Sequence, residues 1–82
     1  MRYRIEIMNE ARSQLRALPK ELRRNIGWRL DGLQNDLAGD VKKLTARTDE
    51  YRLRIGSIRV LFTLEADLIR VYAVKNRKDA YE

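Results

Sequence analysis

The chain has 82 residues with no cysteine, no histidine and one proline, and its 18 Lys+Arg against 12 Asp+Glu give a formal net charge of +6 at pH 7. Without Cys there is no disulfide framework, thiolate nucleophile or zinc-thiolate site, and without His the commonest metal ligand and neutral-pH proton carrier is missing. The 44% apolar content excludes a disordered tail, no apolar run approaches the roughly 18 residues of a membrane span, and the start lacks the apolar stretch of a signal peptide. One small domain over residues 1–82 is expected, cytoplasmic and with no membrane partner. Thirteen of the 18 basic residues are Arg, whose planar fork binds phosphate bidentately, so the excess favours a phosphate-bearing partner over a merely solvated surface.

Taken in chain order, residues 3–8 alternate apolar and charged side chains, which predicts a half-buried strand. Asn9 offers a helix N-cap, and Ala11, Leu15 and Leu18 give a short helix that ends before Pro19. A second helix follows with an apolar stripe of Leu22, Ile26, Leu30, Leu33 and Leu37, and Gly39 is its expected stop. Two antiparallel helices joined by a very short connection form an αα-hairpin. Trp28 falls nearly opposite that stripe. Either the first helix covers it, or it is an apolar anchor left for another protein.

Residues 41–50 are polar and basic, with Lys42, Lys43 and Arg47, and read as a connecting loop. Alternation then returns over 51–55, 58–64 and 68–75, predicting three consecutive strands, and residues 76–82 read as a charged tail. The fold class is therefore α+β, in the order β-α-α-β-β-β, with an antiparallel-rich sheet covered on one face by the helical hairpin.

Gly56-Ser57 suits a two-residue type II′ turn, Gly first because that position needs positive φ, so Ile55 should face Ile58. Counting back sets Leu53 opposite Val60 and Tyr51 opposite Phe62 on the core side. The other side then carries Arg54 opposite Arg59 and Arg52 opposite Leu61. On the last strand, even parity sets Val71 opposite Phe62 and Ala73 opposite Val60, with Arg70 and Tyr72 on the basic side. Like charges directly opposite one another cost a few tenths to about 1 kcal/mol, so this Arg pair has no structural reason to exist. An anion between the two guanidiniums turns the repulsion into binding. The centre of the face has no acid in this reading, with Asp49 and Glu50 only at its edge.

The run from Tyr51 to Phe62, followed by a strand and then Asn76-Arg77-Lys78-Asp79-Ala80-Tyr81, resembles the RelE/ParE superfamily of toxins from type II toxin-antitoxin modules. Element order, the Pro between the helices and the length agree, so the resemblance spans essentially the whole chain. For the RelE branch it implies ribosome-dependent cleavage of mRNA in the A site, needing no metal or cofactor. Arg52 and Arg54 stand where RelE-type toxins commonly carry Lys, Arg59 matches the Arg that begins the third-strand motif, and Arg77 and Tyr81 match the tail. Asn76 stands where many relatives have His, so a His-dependent version of the chemistry is unavailable.

The resemblance thus implies Arg54, Arg59, Arg77 and Tyr81 as catalytic residues. Arg52, Lys42, Lys43, Arg47, Lys75 and Lys78 are expected to bind RNA. It also implies a cognate antitoxin, for which Trp28 is the candidate contact, together with mRNA, the ribosome and its 16S rRNA, and operator DNA only as the toxin-antitoxin complex. Two alternatives stay open: a ParE-like inhibitor of DNA gyrase without a nuclease site, and a module whose basic face only neutralises phosphates.

Overall fold

A computed structural model describes residues 2–44 and 49–76. They form the elements β1 (Arg4–Ile7), α1 (Asn9–Arg16), α2 (Lys20–Leu33), β2 (Val41–Lys43), β3 (Glu50–Ile55), β4 (Ile58–Glu65) and β5 (Leu68–Asn76). The five strands make one mixed sheet in the order β1-β5-β4-β3-β2. Only β1 against β5 is parallel; the other three pairings are antiparallel.

β1 alternates as its sequence predicts, with Ile5 and Ile7 half-buried and Arg4 and Glu6 exposed. Its register on β5 sets Ile5 beside Ile69 and Ile7 beside Val71. The Arg4 guanidinium grips the Asp67 carboxylate with Nε and Nη2, at 3.2 and 3.1 Å, and the Arg4 amide donates to the Asp67 carbonyl at 2.7 Å. That hydrogen-bonded cation holds the Asp67 carboxyl below its usual range.

The chain passes from β1 straight into α1. The Met8 amide still bonds to Val71 of β5, while its carbonyl already accepts from Arg12, so the N-cap is Met8 and not the expected Asn9. Pro19 precedes α2 as its N-cap, where the amide hydrogen it lacks is not needed. Ile26, Leu30 and Leu33 are buried as the stripe predicts, with Leu22 half-buried. The helix stops at Leu33, well before Gly39, because Asp36 and Leu37 both turn left-handed with φ of 58°. This turn still lays Leu37 against the core. No helix among the described residues is long and apolar enough to cross a membrane.

The core lies between the helices and one sheet face: Ala11, Ile26, Leu30 and Leu33 meet Leu53, Ile55, Ile58, Val60, Phe62, Ile69, Val71 and Val74. Phe62 is fully buried and stacks on Tyr51 at 5.5 Å between ring centroids.

Two readings of the sheet need correction. Part of the stretch read as a loop is the edge strand β2, held by pairing Val41 with Leu53, Lys42 with Arg52 and Lys43 with Tyr51. With three residues and one apolar side chain it leaves no period in the sequence. On β5, Val71 does face Phe62, but Val60 faces Val74 and Leu61 faces Ala73, because the register shifts at Leu61/Phe62. Tyr72 is the extra residue of this bulge, which sends two successive side chains to one side. The larger Val74 thereby fills the core in place of Ala73.

Candidate nucleic-acid interface

The β3–β4 register is as counted from the turn: Tyr51 faces Phe62, Leu53 faces Val60, Ile55 faces Ile58 and Arg54 faces Arg59. Gly56 takes φ of 59°. The bulge then adds Lys75, which pairs with Arg59, so Arg54, Arg59 and Lys75 form one basic row across three strands on the face away from the helices. The next row along the strands holds Lys42, Arg52, Leu61 and Ala73. Beyond it come Glu50, Thr63, Arg70 and Glu6, where charges are matched: Arg70 lies 3.6 Å from Glu6 and 3.9 Å from Glu65. The face is thus polarised, its cations gathered at the end that carries the Gly56-Ser57 turn.

Arg59 is the unusual member, because it is 4% exposed. Its Nη1 donates to the carbonyls of Gly56 (3.0 Å) and Ile58 (3.2 Å), which folds the side chain back over the turn, and its buried Nε makes no hydrogen bond. Among the described residues it has no carboxylate partner. Burying a donor without an acceptor costs about 1–3 kcal/mol, and an unpaired charge more, so stability alone does not account for this Arg. The buried Nε of Arg52 is likewise without an acceptor.

Arg54 differs from the expectation of an acid-free centre. Its Nε donates to Asp40 Oδ2 at 2.6 Å, and its amide donates to the Asp40 carbonyl at 3.0 Å. Both side chains are about half exposed, 50% and 47%, so the pair is screened and worth at most about 1 kcal/mol. The bond uses the inner nitrogen, and the two outer Nη groups make no hydrogen bond among the described residues. Asp40 reaches Arg54 because Gly39, at φ of 126°, brings the chain so near β3 that a Cβ there would sit 2.9 Å from Leu53 Cδ1. Sequence reading missed Asp40, since finding it requires knowing that β2 exists.

Further along this face the Tyr72 hydroxyl donates to Glu50 at 3.3 Å. Burial, and then the neighbouring Glu50 charge, push this phenol above its ordinary value. Lys43 does not join the basic row: it pairs with Tyr51 and its Nζ lies 5.9 Å from that ring, towards the helix-covered side. Lys42 does lie on the basic side, beside Arg52. Trp28 is 73% exposed, so α1 does not cover it. Arg47, Arg77, Lys78 and Tyr81 lie outside the described residues.

A five-stranded mixed sheet with two helices on one face is the fold of solved toxins from toxin-antitoxin pairs. The archaeal RelE-RelB complex from Pyrococcus horikoshii matches at 30% identity over 96% of this chain and 99% of that one, with a TM-score of 0.81. The RelB-RelE antitoxin-toxin complex from Methanococcus jannaschii matches at 25% identity, covering 92% and 93%, with a TM-score of 0.78. A double mutant of Escherichia coli toxin RelE in the free state shares the fold at 19% identity, covering 98% and 87%, with a TM-score of 0.78. No protein-family model and no curated protein sequence matches the chain. The chain belongs to the RelE family of toxins.

Proposed function

We propose that this toxin is a metal-independent endoribonuclease that acts in the cytoplasm, cleaves mRNA in the ribosomal A site and so halts translation. The observation that supports this most is the Arg54-Arg59-Lys75 row with its buried Arg59, which has no carboxylate partner among the described residues. In such a reaction the 2′-oxygen bonds to the adjacent phosphorus as the bond from phosphorus to the 5′-oxygen breaks, leaving a 2′,3′-cyclic phosphate and a 5′-hydroxyl. The guanidiniums of Arg54, Arg59 and Arg77 hold the charge that builds on the non-bridging oxygens, donating to it from fixed directions. Tyr81 orients the 2′-hydroxyl and, reacting as its phenolate, takes that proton to become the neutral phenol. Lys75 donates a proton to the departing 5′-oxygen, a task for which an ammonium suits better than the reluctant guanidinium of Arg54. Arg52 and Lys42 steer the backbone of the RNA, joined by Arg47 and Lys78, whereas Lys43 lies at the margin of that surface.

The Pyrococcus and Methanococcus relatives are complexes of RelE with RelB, which supports a cognate antitoxin here. Exposed Trp28 is its anchor, a large aromatic of the type that dominates protein interfaces. Operator DNA is met only as the toxin-antitoxin complex. Induction in cells with mapping of mRNA 5′ ends, beside a gyrase cleavage assay, tests the reading. Codon-phased cuts support it, whereas trapped DNA breaks without such cuts point to gyrase.

A further inference from the structure

β1 ends at Ile7 and covers β5 only as far as Val71. Beyond that point α1 takes the place of the missing strand. The Met8 amide donates to the Val71 carbonyl at 2.8 Å, and six residues on, the Gln14 side chain accepts from the Val74 amide at 2.5 Å. Six helical residues rise about 9 Å and three strand residues about 10 Å, so α1 runs alongside β5 in the same direction. Arg16, two residues past Gln14, and Lys75, one past Val74, therefore lie at the same end of the molecule. After a three-residue connection the chain presents Lys20, the first residue of α2. Arg16 and Lys20 are exposed, with no carboxylate partner among the described residues; the nearest acid in sequence is Glu21, on the next position of the same helix.

We infer that the RNA path does not end at the Arg54-Arg59-Lys75 row but continues round the end of β5 to Arg16 and Lys20, as one cationic track for a single-stranded phosphate backbone. This rests on the proposed ribonuclease reading, which supplies the row as the track's first half. A positively charged track that follows the backbone, with no demand on base identity, is how single strands are held without sequence preference. Such a track makes affinity grow with strand length and makes it fall with salt by about 0.7 logarithmic units per phosphate contacted.

The test is fluorescence anisotropy of the whole protein with uncleavable 2′-O-methyl oligonucleotides of about 4, 8 and 12 residues, spanning the usual site sizes. Wild type binds the longest more tightly than the shortest. In R16Q/K20Q the gain with length is lost, and the salt slope on the longest flattens by about 1.4 for two phosphates. An undiminished gain in R16Q/K20Q overturns the track while leaving the row intact, as expected if this corner faces a protein instead. Absence of salt-sensitive binding at every length overturns both the track and the nucleic-acid reading. Circular dichroism melting confirms that the variant is folded.

Discussion

Asp40 and Arg54 are joined twice, by a side-chain bond of 2.6 Å and a backbone bond of 3.0 Å, so an acid sits against the outermost cation of the basic row. The acid fixes the guanidinium through Nε, and it also lowers the positive potential that an incoming phosphate meets. Removing it therefore has opposite effects on binding and on turnover. Asp40→Ala lowers KM for ribosome-bound mRNA, because net charge rises, and lowers kcat about tenfold, because Arg54 loses its orientation. Asp40→Asn keeps an acceptor and recovers most of kcat. Stability falls by no more than about 1 kcal/mol in either variant. Single-turnover cleavage on programmed ribosomes separates the two parameters, and equal loss of kcat in the Asn and Ala variants speaks against a positioning role.

Arg59 is predicted to trade stability for function. Replacing a buried guanidinium that has no carboxylate partner among the described residues by an apolar side chain of similar length removes the desolvation cost, so Arg59→Met is neutral or stabilising by about 1–2 kcal/mol in urea unfolding. RNA cleavage by the same variant falls at least about a hundredfold, the usual cost of losing one donor to the developing charge. A destabilised Arg59→Met protein would mean that the Nη1 bonds to Gly56 and Ile58 outweigh the burial penalty.

The glycines separate conformation from space. Gly39 combines φ of 126° with a Cβ position 2.9 Å from Leu53 Cδ1, whereas Gly56 at φ of 59° has nothing within 4 Å. Gly56→Ala meets only the left-handed penalty of about 1–2 kcal/mol. Gly39→Ala meets backbone strain of about 1–3 kcal/mol and a clash with a fully buried leucine, and it moves Asp40 away from Arg54. Thermal melts should rank Gly39→Ala as the less stable, and it alone should lose cleavage activity beyond its loss of stability.

Asp67 and Tyr72 make stability depend on pH in opposite ranges. The folded carboxyl of Asp67 lies below its unfolded value, mainly through the hydrogen bond from Arg4. Its contribution is present above about pH 4 and is lost as pH falls through the folded value. The Tyr72 phenol lies above its unfolded value through burial and then Glu50. Its contribution is present below about pH 10 and is lost as pH rises through the folded value. Urea midpoints across pH should show Arg4→Gln flattening only the acid limb and Tyr72→Phe only the alkaline limb.

Trp28 is predicted to matter to the antitoxin and not to the fold. At 73% exposure, Trp28→Ala leaves the melting temperature within about 4 °C, since surface changes stay within about half a kcal/mol. As a hot spot it should weaken antitoxin binding by at least about 2 kcal/mol, near thirtyfold. Calorimetry with the co-purified antitoxin, dissociated and re-added, measures this.

Much of this fold is legible in the sequence because its signals are local. A Gly-Ser turn fixes the β3–β4 register, and one count from it yields the Arg54–Arg59 pair. What was not legible depends on tertiary pairing. β2 has one apolar residue and exists only because β3 offers an edge, so Asp40 was missed with it. The bulge at Tyr72 leaves no pattern in β5, since Val71-Tyr72-Ala73-Val74 alternates equally well in either register. Its consequence, Lys75 beside Arg59, is the largest change to the site. The sequence allows Trp28 to be covered by α1 or exposed, and its exposure decides that α1 does not cover it.

RNA cleavage organised by the basic row is tested most directly by mapping the products of purified toxin on mRNA-programmed ribosomes. Wild type should give A-site cuts ending in 2′,3′-cyclic phosphate without added metal, and Arg59→Met, though folded, should give almost none. Uncut mRNA with wild-type protein, together with trapped gyrase-DNA breaks in a parallel assay, would mean that the toxin acts on gyrase and not as a ribonuclease.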